Sequence, residues 1–355
     1  MMNKYIRSGL LVMMIVFAAA ILLFQEPRCA GHAVILQYHF FGDEHPPSTT
    51  VTLERFRRHL NIIKETGCRV WPLGRVAKHL RSGRELPDSC VAISIDDAYI
   101  SVYNRALPIL EEFGYPATLF IPTAAVDQRL PGYMSWEQIR KAEKRGIEPA
   151  SHGHSHHYML RRREGESDSE WERNVRDDIM TSLRRLGEEL NTEVFMFAYP
   201  YGEYDIRLKK IVEELGVIAF GQQSGPAGKW SDFHALPRFP VSGPYSDPES
   251  FRIKIHSLPL PVESARPEDP LIPDSVQSPS LRLDLAEGAY SKSTLACFVS
   301  GQGRTDVEWV DRDEGILRVR AKSPLPVGRS RYNFTARHRE MNRYFWYSHP
   351  WIRLE

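Results

Sequence analysis

Short apolar runs alternate with longer amphipathic segments from about residue 32 to residue 256. The apolar runs are typical of buried β-strands, whereas the longer segments repeat apolar residues at helical spacing. In the segment 53–66, for example, Phe56, Leu60 and Ile63 fall on one helical face. Strands that alternate with helices in this way predict a mostly parallel sheet with helical crossovers.

The predicted elements form about seven strand–helix units. The strands are predicted at residues 33–37, 69–71, 91–95, 117–121, 147–150, 194–199 and 217–220. The helices are predicted at residues 53–66, 73–81, 102–113, 136–144, 169–190 and 205–215. Because no glycine-rich dinucleotide turn accompanies these units, an incomplete (β/α) barrel over residues 32–257 is favoured over a doubly wound sheet.

Prolines become dense between residues 258 and 279, which is typical of a stiff connector between domains. Beyond this linker, short alternating segments separated by glycine-containing turns lack helical periodicity and predict a small β-sandwich at residues 280–355. Its strands are predicted at residues 281–285, 294–299, 307–310, 316–319, 332–335 and 344–346. The aromatic residues of this region fit either a packed core or a sugar-binding surface, and a core is favoured.

The amino-terminal residues have the pattern of a targeting signal. Lys4 and Arg7 precede an uncharged apolar stretch at residues 9–24. This order is typical of a secretory signal, and the stretch is shorter than the about 20 residues of a comfortable membrane span. Residues 1–31 are therefore predicted to be a cleaved signal peptide or an uncleaved membrane anchor. The protein is expected to be exported, and to be periplasmic, anchored in the inner membrane or secreted.

Composition excludes some classes of function. The 355 residues are 42% hydrophobic and 26% charged, as in ordinary soluble domains. The net charge of +1 provides no global field that would favour nucleic acid, so no nucleic-acid partner is expected. Four cysteines are too few for a scaffold built from disulfides.

Candidate chemistry lies where predicted strands end. Asp96 and Asp97 follow the apolar strand 91–95, and His152 and His156 follow a later strand. Charged residues are rarely buried without a partner, and an isolated aspartate pair is more often a solvated turn or a helix cap. Two histidines spaced by four residues and one carboxylate, however, provide the ligand set of a catalytic divalent metal. Together they indicate metal-assisted hydrolysis at the carboxyl ends of the strands, where barrel enzymes carry their active sites.

The two aspartates are expected to play different parts. Asp97, His152 and His156 are the candidate metal ligands, and they leave a position open for water. Asp96 points the other way along an extended chain, but a bend at the strand end would bring it to that water as a base. His157, at a spacing of five, is the alternative to His156.

Three short motifs resemble those of the polysaccharide deacetylases, the NodB-homology group of carbohydrate esterases. The first is SIDDA at residues 94–98, the second is SHGHSH at residues 151–156, and the third is FAYPYG at residues 197–202. They occur in the family's order, and the resemblance covers roughly residues 33–255.

The resemblance implies a distorted (β/α)7 barrel that holds a divalent metal, with zinc favoured over nickel, cobalt or iron. It implies that Asp97, His152 and His156 bind the metal and that Asp96 is the catalytic base. The backbone N–H of Tyr201 would hold the oxyanion, as preorganised donors do in acyl transfer. The implied reaction removes an N- or O-acetyl group from an acetylated polysaccharide, which is the expected partner.

Three departures from the family pattern leave roles open. Ala98 replaces the glycine that usually follows the aspartate pair. Ala198 replaces the arginine that usually orients the base, and Arg238 is the candidate substitute for it. The late leucine-x-histidine motif has no clean match, although His256 lies near the expected place.

The absent arginine and the opening pair Tyr38–His39 resemble exported deacetylases of poly-β-1,6-N-acetylglucosamine more than peptidoglycan deacetylases. This resemblance makes His39 the first candidate for the general acid, ahead of His256, with a supporting role at the metal as its alternative. The other functions considered are an O-acetyl esterase, a peptidoglycan deacetylase and a carbohydrate-binding protein whose barrel has lost activity. Ala198 and the missing late histidine motivate the last of these.

Overall fold

The computed structural model describes residues 31–44, 46 and 48–354. The predicted signal peptide or anchor at residues 1–31 therefore lies outside the described residues, apart from Gly31. Within the part of the chain that is described, no helix combines the length and the apolar character needed to cross a bilayer.

A parallel sheet and its flanking helices make up the larger, amino-terminal part of the described chain. The first ten strands are β1 (Ala33–Tyr38), β2 (Phe40–Phe41), β3 (Thr50–Val51), β4 (Arg69–Val70), β5 (Cys90–Asp96), β6 (Ala117–Ile121), β7 (Ile147–Ser151), β8 (Met196–Ala198), β9 (Ile218–Phe220) and β10 (Phe239–Pro240). The helices are α1 (Leu53–Glu65), α2 (Leu73–Arg81), α3 (Leu107–Phe113), α4 (Thr123–Asp127), α5 (Trp136–Glu143), α6 (Asp168–Leu190), α7 (Ile206–Glu214) and α8 (Pro248–Ile255). The strands pair in the order β10-β1-β5-β6-β7-β8-β9, with β4 beside β5.

The sheet curls so far that one segment contacts both of its ends. Leu236 forms a parallel bridge with Phe220, the last residue of β9. Phe239, in β10, pairs in parallel with Leu36 in β1. Residues 236–240 therefore connect the two ends of the sheet. The predicted α/β class, a mostly parallel sheet with helical crossovers, is confirmed, and the curl agrees with a barrel-like fold.

Local sequence signals explain where the helices begin and end. α5 and α6 each start with a capping box, formed by Ser135 with Gln138 and by Ser167 with Glu170. α3 ends at Gly114, whose left-handed φ of 65° is unfavourable for residues with a Cβ. These boundaries agree closely with the predicted ones because the signals that set them are local.

Two further sheets follow in the carboxyl-terminal part. Their strands are β11 (Leu258–Pro259), β12 (Val262–Arg266), β13 (Ser280–Leu285), β14 (Ala296–Val299), β15 (Gly303–Thr305), β16 (Glu308–Asp311), β17 (Ile316–Arg320), β18 (Gly328–Arg337) and β19 (Tyr344–Arg353). The five-stranded sheet has the order β11-β19-β18-β14-β15, and the four-stranded sheet has the order β12-β13-β17-β16. Side chains of both sheets share one hydrophobic cluster, with Leu283 and Leu317 from the smaller sheet and Cys297 and Phe334 from the larger.

The proline-rich segment 258–279 differs from the expected stiff connector. Its first residues form β11 and β12, which belong to the two carboxyl-terminal sheets. Both strands lie at a sheet edge. A proline such as Pro259 is tolerated there because no neighbouring strand needs the N–H donor that proline lacks. The density of prolines predicted a connector, but the first residues of this segment are edge strands of the two carboxyl-terminal sheets.

Buried neutral histidines make the fold sensitive to acid. His59 is fully buried, with its ring nitrogens 3.0 Å from the Tyr38 hydroxyl and 2.8 Å from the Ser246 carbonyl oxygen. Burial lowers the pKa of His59 to about 4 and that of His349 to about 3. The unfolded chain, with an ordinary histidine pKa near about 6.5, then binds protons more readily than the folded chain. The contribution of these neutral histidines to the free energy of unfolding is therefore fully present above about pH 6.5 and is lost as the pH falls below that value.

We expect His59→Gln to reduce the acid sensitivity, because glutamine can hydrogen bond without titrating. Between pH 7 and pH 5 the free energy of unfolding of the wild type should fall by about 2 kcal/mol more than that of His59→Gln. Urea unfolding at both pH values measures it. His79→Gln, at a partly exposed histidine, is the control. An unchanged pH dependence in His59→Gln would contradict the assignment of a neutral buried ring.

Candidate active site at the carboxyl edge of the sheet

The candidate residues project from left-handed turns that follow the strands. Asp96 is the last residue of β5, and Asp97 and Ala98 after it have φ angles of 75° and 53°. His156 and Tyr201 have φ angles of 55° and 59°. Such conformations are unfavourable for residues with a Cβ and cluster at functional sites. The turn at Asp97 is the bend that the sequence analysis required, since it lets adjacent carboxylates serve the same site.

Asp97, His152 and His156 meet with their ligand atoms within 4.8 Å of one another. Oδ1 of Asp97 lies 3.4 Å from Nε2 of His152 and 3.2 Å from Nε2 of His156. Bond lengths of about 2.0–2.1 Å in a tetrahedral zinc site place neighbouring ligand atoms about 3.3 Å apart. The three donor atoms therefore fit a divalent ion with an open coordination position.

A hydrogen bond fixes the orientation of one imidazole. Nδ1 of His152 lies 2.8 Å from the carbonyl oxygen of Ala198, at the end of β8. A proton on Nδ1 would be donated to this carbonyl and leave the Nε2 lone pair for a metal. The third motif therefore reaches the candidate metal ligands through its backbone, although Ala198 lacks the family's arginine side chain.

The charges favour a cation at this point. Burial disfavours the imidazolium of His152, but its hydrogen bond with Asp97 and the nearby carboxylates outweigh burial and raise its pKa. Burial also opposes ionisation of Asp97, yet hydrogen bonds with His152 and His156 bring its pKa well below the ordinary value. The buried carboxylate is therefore ionised and attracts positive charge.

Asp178, on α6, shapes the loop that carries the second motif. Its carboxylate accepts hydrogen bonds from the backbone N–H groups of His154 at 2.8 Å and Ser155 at 2.9 Å. Nδ1 of His157 faces this carboxylate at 3.7 Å. The structure therefore directs His156 toward Asp97 and directs the alternative, His157, toward Asp178.

Asp96 is held by a buried arginine. Arg238 donates from Nη1 to Oδ1 of Asp96 at 2.7 Å and from Nη2 to Oδ2 at 2.9 Å. Gln37, on β1, donates to Oδ2 at 2.7 Å. Both members of the ion pair are 0% exposed. Burial would raise the pKa of Asp96, but Arg238 and the neighbouring histidines outweigh it, so that the pKa is lowered.

Arg238 lies in the segment that connects the two ends of the sheet. Its Nε donates to the carbonyl oxygen of Gly221 at 2.9 Å, and its Nη1 lies 3.2 Å from the Ser94 hydroxyl. From the sequence, Arg238 is only a candidate for the role that Ala198 leaves vacant. The structure brings Arg238 to Asp96 in a two-pronged ion pair, the geometry suited to orienting a carboxylate.

The two candidates for the general acid, His39 and His256, lie at opposite edges of the sheet, the carboxyl edge and the amino edge. Nε2 of His39 is 3.7 Å from Oδ2 of Asp96, and burial lowers the pKa of His39. The backbone oxygen of His256 accepts a hydrogen bond from Arg343, whose other nitrogen lies 3.3 Å from His32, immediately before β1. His256 therefore lies at the amino edge of the sheet, away from Asp96 and Asp97.

Aromatic rings lie around the site, and of these only Tyr201 was assigned to it from the sequence. The ring of Tyr201 is 4.9 Å from that of His156, and Tyr158 stacks on Tyr201 with ring centres 3.7 Å apart. Tyr99 follows the aspartate turn and packs 5.2 Å from the ring of Tyr133. Tyr158 and Tyr99 each lie within two residues of a motif, which is the signal that could have identified them.

Comparison with known proteins finds a family model that matches part of the chain and solved structures of similar fold. The sequence profile described as polysaccharide deacetylase matches residues 83–220. The poly-beta-1,6-N-acetyl-D-glucosamine N-deacetylase of Escherichia coli K12 is 25% identical over 254 residues, which cover 61% of this chain and 38% of that protein. The chain thus spans about two fifths of the length of this relative.

Two solved structures have a similar fold. The Streptococcus pyogenes deacetylase PplD, in complex with acetate, matches with a TM-score of 0.57 and 21% identity, covering 63% of this chain and 98% of its own. IcaB from Ammonifex degensii matches with a TM-score of 0.57 and 22% identity, covering 64% of this chain and 98% of its own. At these identities the likeness establishes the fold of the amino-terminal part.

Proposed function

We propose that this chain, which matches the polysaccharide deacetylase family model at residues 83–220, belongs to that family and hydrolyses N-acetyl groups of an extracellular or cell-envelope polysaccharide. The observation that carries the proposal is the convergence of Asp97, His152 and His156 beside a second carboxylate, Asp96. The substrate is of the poly-N-acetylglucosamine type, which is supported by the name of the Escherichia coli relative.

Asp97, His152 and His156 would hold one divalent ion. Zinc is favoured because two imidazoles and one carboxylate at tetrahedral spacing suit it, while nickel, cobalt and iron accept the same donors. When bound, such an ion supplies an acidified water and a positive charge that stabilises developing negative charge on oxygen. The tautomer set by the Ala198 carbonyl keeps Nε2 of His152 available for this role.

Asp96 and His39 would move the protons. Asp96, ionised and fixed by Arg238 and Gln37, accepts the proton of the attacking water at its carboxylate. His39 is neutral because of burial, and its Nε2 lies 3.7 Å from that carboxylate. A proton passed to His39 can then be delivered to the departing amine. The backbone N–H of Tyr201 would donate to the oxyanion that forms on the acetyl group.

Arg238 also bears on the alternative of an inactive carbohydrate-binding protein. That alternative rested partly on the missing arginine at position 198, since an unoriented base would be a poor catalyst. A buried arginine paired with Asp96 supplies the missing partner from another part of the chain. The geometry therefore favours a hydrolase.

The proposal extends to the architecture and location. The curled sheet corresponds to the expected distorted (β/α)7 barrel at residues 32–257. The two later sheets correspond to the β-sandwich expected at residues 280–355, and β11 and β12 of the expected linker at residues 258–279 add an edge strand to each of them. Their shared hydrophobic cluster supports the sandwich. Residues 1–31 would direct export to the periplasm, to the inner membrane as an anchor, or to the medium.

Acetate release from N-acetylated β-1,6-glucosamine oligosaccharides tests the reaction, with O-acetylated glycans and peptidoglycan as comparison substrates. We expect release from the first substrate, inhibition by a chelator and about one divalent ion per chain. The double variant Asp97→Ala, His152→Ala should bind no ion and release no acetate, whereas His157→Ala should retain both. Acetate release that persists in the double variant would refute the metal site, and sugar binding without release from any substrate would favour a binding protein.

A further inference from the structure

We infer that Arg329, a residue of the carboxyl-terminal strand β18, is a positioning residue for the active-site turn at Tyr201. The inference rests on the proposed function, because it concerns the backbone N–H that would hold the oxyanion. It also gives the carboxyl-terminal sheets a part in the reaction. In this inference Arg329 does not touch substrate and acts only through Tyr201.

A direct hydrogen bond links the two parts of the chain. Nη1 of Arg329 donates to the carbonyl oxygen of Tyr201. The same nitrogen lies 2.9 Å from Oε1 of Gln222, just beyond β9. Arg329 therefore joins the turn of the third motif to the neighbouring strand end.

The turn needs such support because its conformation is unfavourable. Tyr201 has a φ of 59° and Gly202 after it a φ of 70°, so two successive residues are left-handed. Gln222 packs closely on this turn, since a Cβ added to Gly202 would lie 2.5 Å from Cγ of Gln222. With Gly202 held against Gln222, a bond to the Tyr201 carbonyl fixes the peptide between the two residues and limits rotation of the turn.

A ring of successive contacts, called the circuit below, runs from the side chain of Tyr201 back to Arg329. Tyr158 stacks on the ring of Tyr201, and the guanidinium of Arg161 lies 4.3 Å from the ring centre of Tyr158. Oε1 of Glu203 lies 3.7 Å from Arg161 and 3.9 Å from Arg329. The circuit thus returns to Arg329, which contacts the backbone of Tyr201.

Glu203 is a buried negative charge that lies between the two arginines of the circuit. Its side chain is 2% exposed, and Oε2 has no hydrogen-bond partner among the described residues. A buried carboxylate needs nearby positive charge, and Arg161 and Arg329 provide it. Arg329 itself is 42% exposed, so its removal should disturb the local turn more than the stability of the whole fold.

Arg329→Ala tests the inference against a matched control. Arg337→Ala removes an exposed arginine at the other end of β18, about 26 Å away along the strand. We expect Arg329→Ala to lower kcat for acetate release by about tenfold or more, because misplacing a catalytic donor is costly. KM, metal content and melting temperature should change little. Arg329→Lys should restore part of kcat, and Arg337→Ala should resemble the wild type.

Amide hydrogen exchange of the peptide spanning residues 199–204 provides a readout that does not depend on activity. Arg329→Ala should exchange faster there than the wild type and Arg337→Ala. An unchanged kcat, an equal loss in the control, or unchanged exchange would overturn the positioning role. If the wild type releases no acetate from any glycan, the proposed function fails instead, and exchange alone then decides whether Arg329 holds the turn.

Discussion

Asp96→Asn is expected to lower the rate of acetate release by about 10³-fold. Removing a positioned base typically costs about 10²–10⁴-fold in rate, and Asp96 is the carboxylate that Arg238 and Gln37 hold beside the candidate metal ligands. Asparagine preserves the shape of the side chain but cannot accept the proton. Because Asp97 and both histidine ligands remain, the variant should still bind about one divalent ion per chain.

The measurement combines acetate release with metal analysis on the same preparations. Asp88→Asn, at an exposed turn before β5, is the matched control and should behave as the wild type. Circular dichroism must show that Asp96→Asn is folded, because the change leaves Arg238 without its anionic partner. Full activity in a folded Asp96→Asn variant would exclude Asp96 as the base, and loss of the metal would point to a different defect.

Arg238→Met is expected to destabilise the fold by about 3–5 kcal/mol. Removing one partner of a buried ion pair leaves an uncompensated charge, and Asp96 is fully buried with both carboxylate oxygens bonded to Arg238. Lysine cannot reproduce the two-pronged geometry, so Arg238→Lys should recover only part of the loss. Urea unfolding at neutral pH measures these free energies.

A double-mutant cycle separates the pair from the packing of the methylene stem. Arg238→Met combined with Asp96→Asn should be less destabilised than the sum of the two single variants, because neither charge is then left alone. Strict additivity would mean that the two residues do not interact. Such a result would also remove the argument that Arg238 replaces the arginine absent from position 198.

The sequence predicted the central sheet well because its signals are local. The strand 117–121 has the same bounds in the structure, and the helix predicted at residues 73–81 is α2. Short buried strands and capped helices each depend on neighbours along the chain. The segments missed include the helices α4 and α8 and the two-residue strands β2, β3 and β10, which either carry weak amphipathic signals or are too short to show a period.

The site was only partly predictable, since some of its partners are distant in sequence. The candidate metal ligands follow strand ends, and the motifs point to them. Arg238 is 142 positions from Asp96, and only folding of the sheet brings them together. Arg329 comes from the carboxyl-terminal sheets and has no sequence signal that links it to Tyr201. His256 was a reasonable alternative on order along the chain, but order does not determine which edge of the sheet a residue occupies.

The segment 236–240 connects the sheet ends and carries Arg238, so completing the fold and neutralising Asp96 are the same event. A growing polypeptide emerges amino terminus first, and Asp96 is therefore made long before its cationic partner. Until that segment docks, burying the ionised carboxylate without Arg238 would be costly, which favours a hydrated or protonated Asp96. Assembly of the reactive geometry is thus deferred until nearly all of the domain has been synthesised.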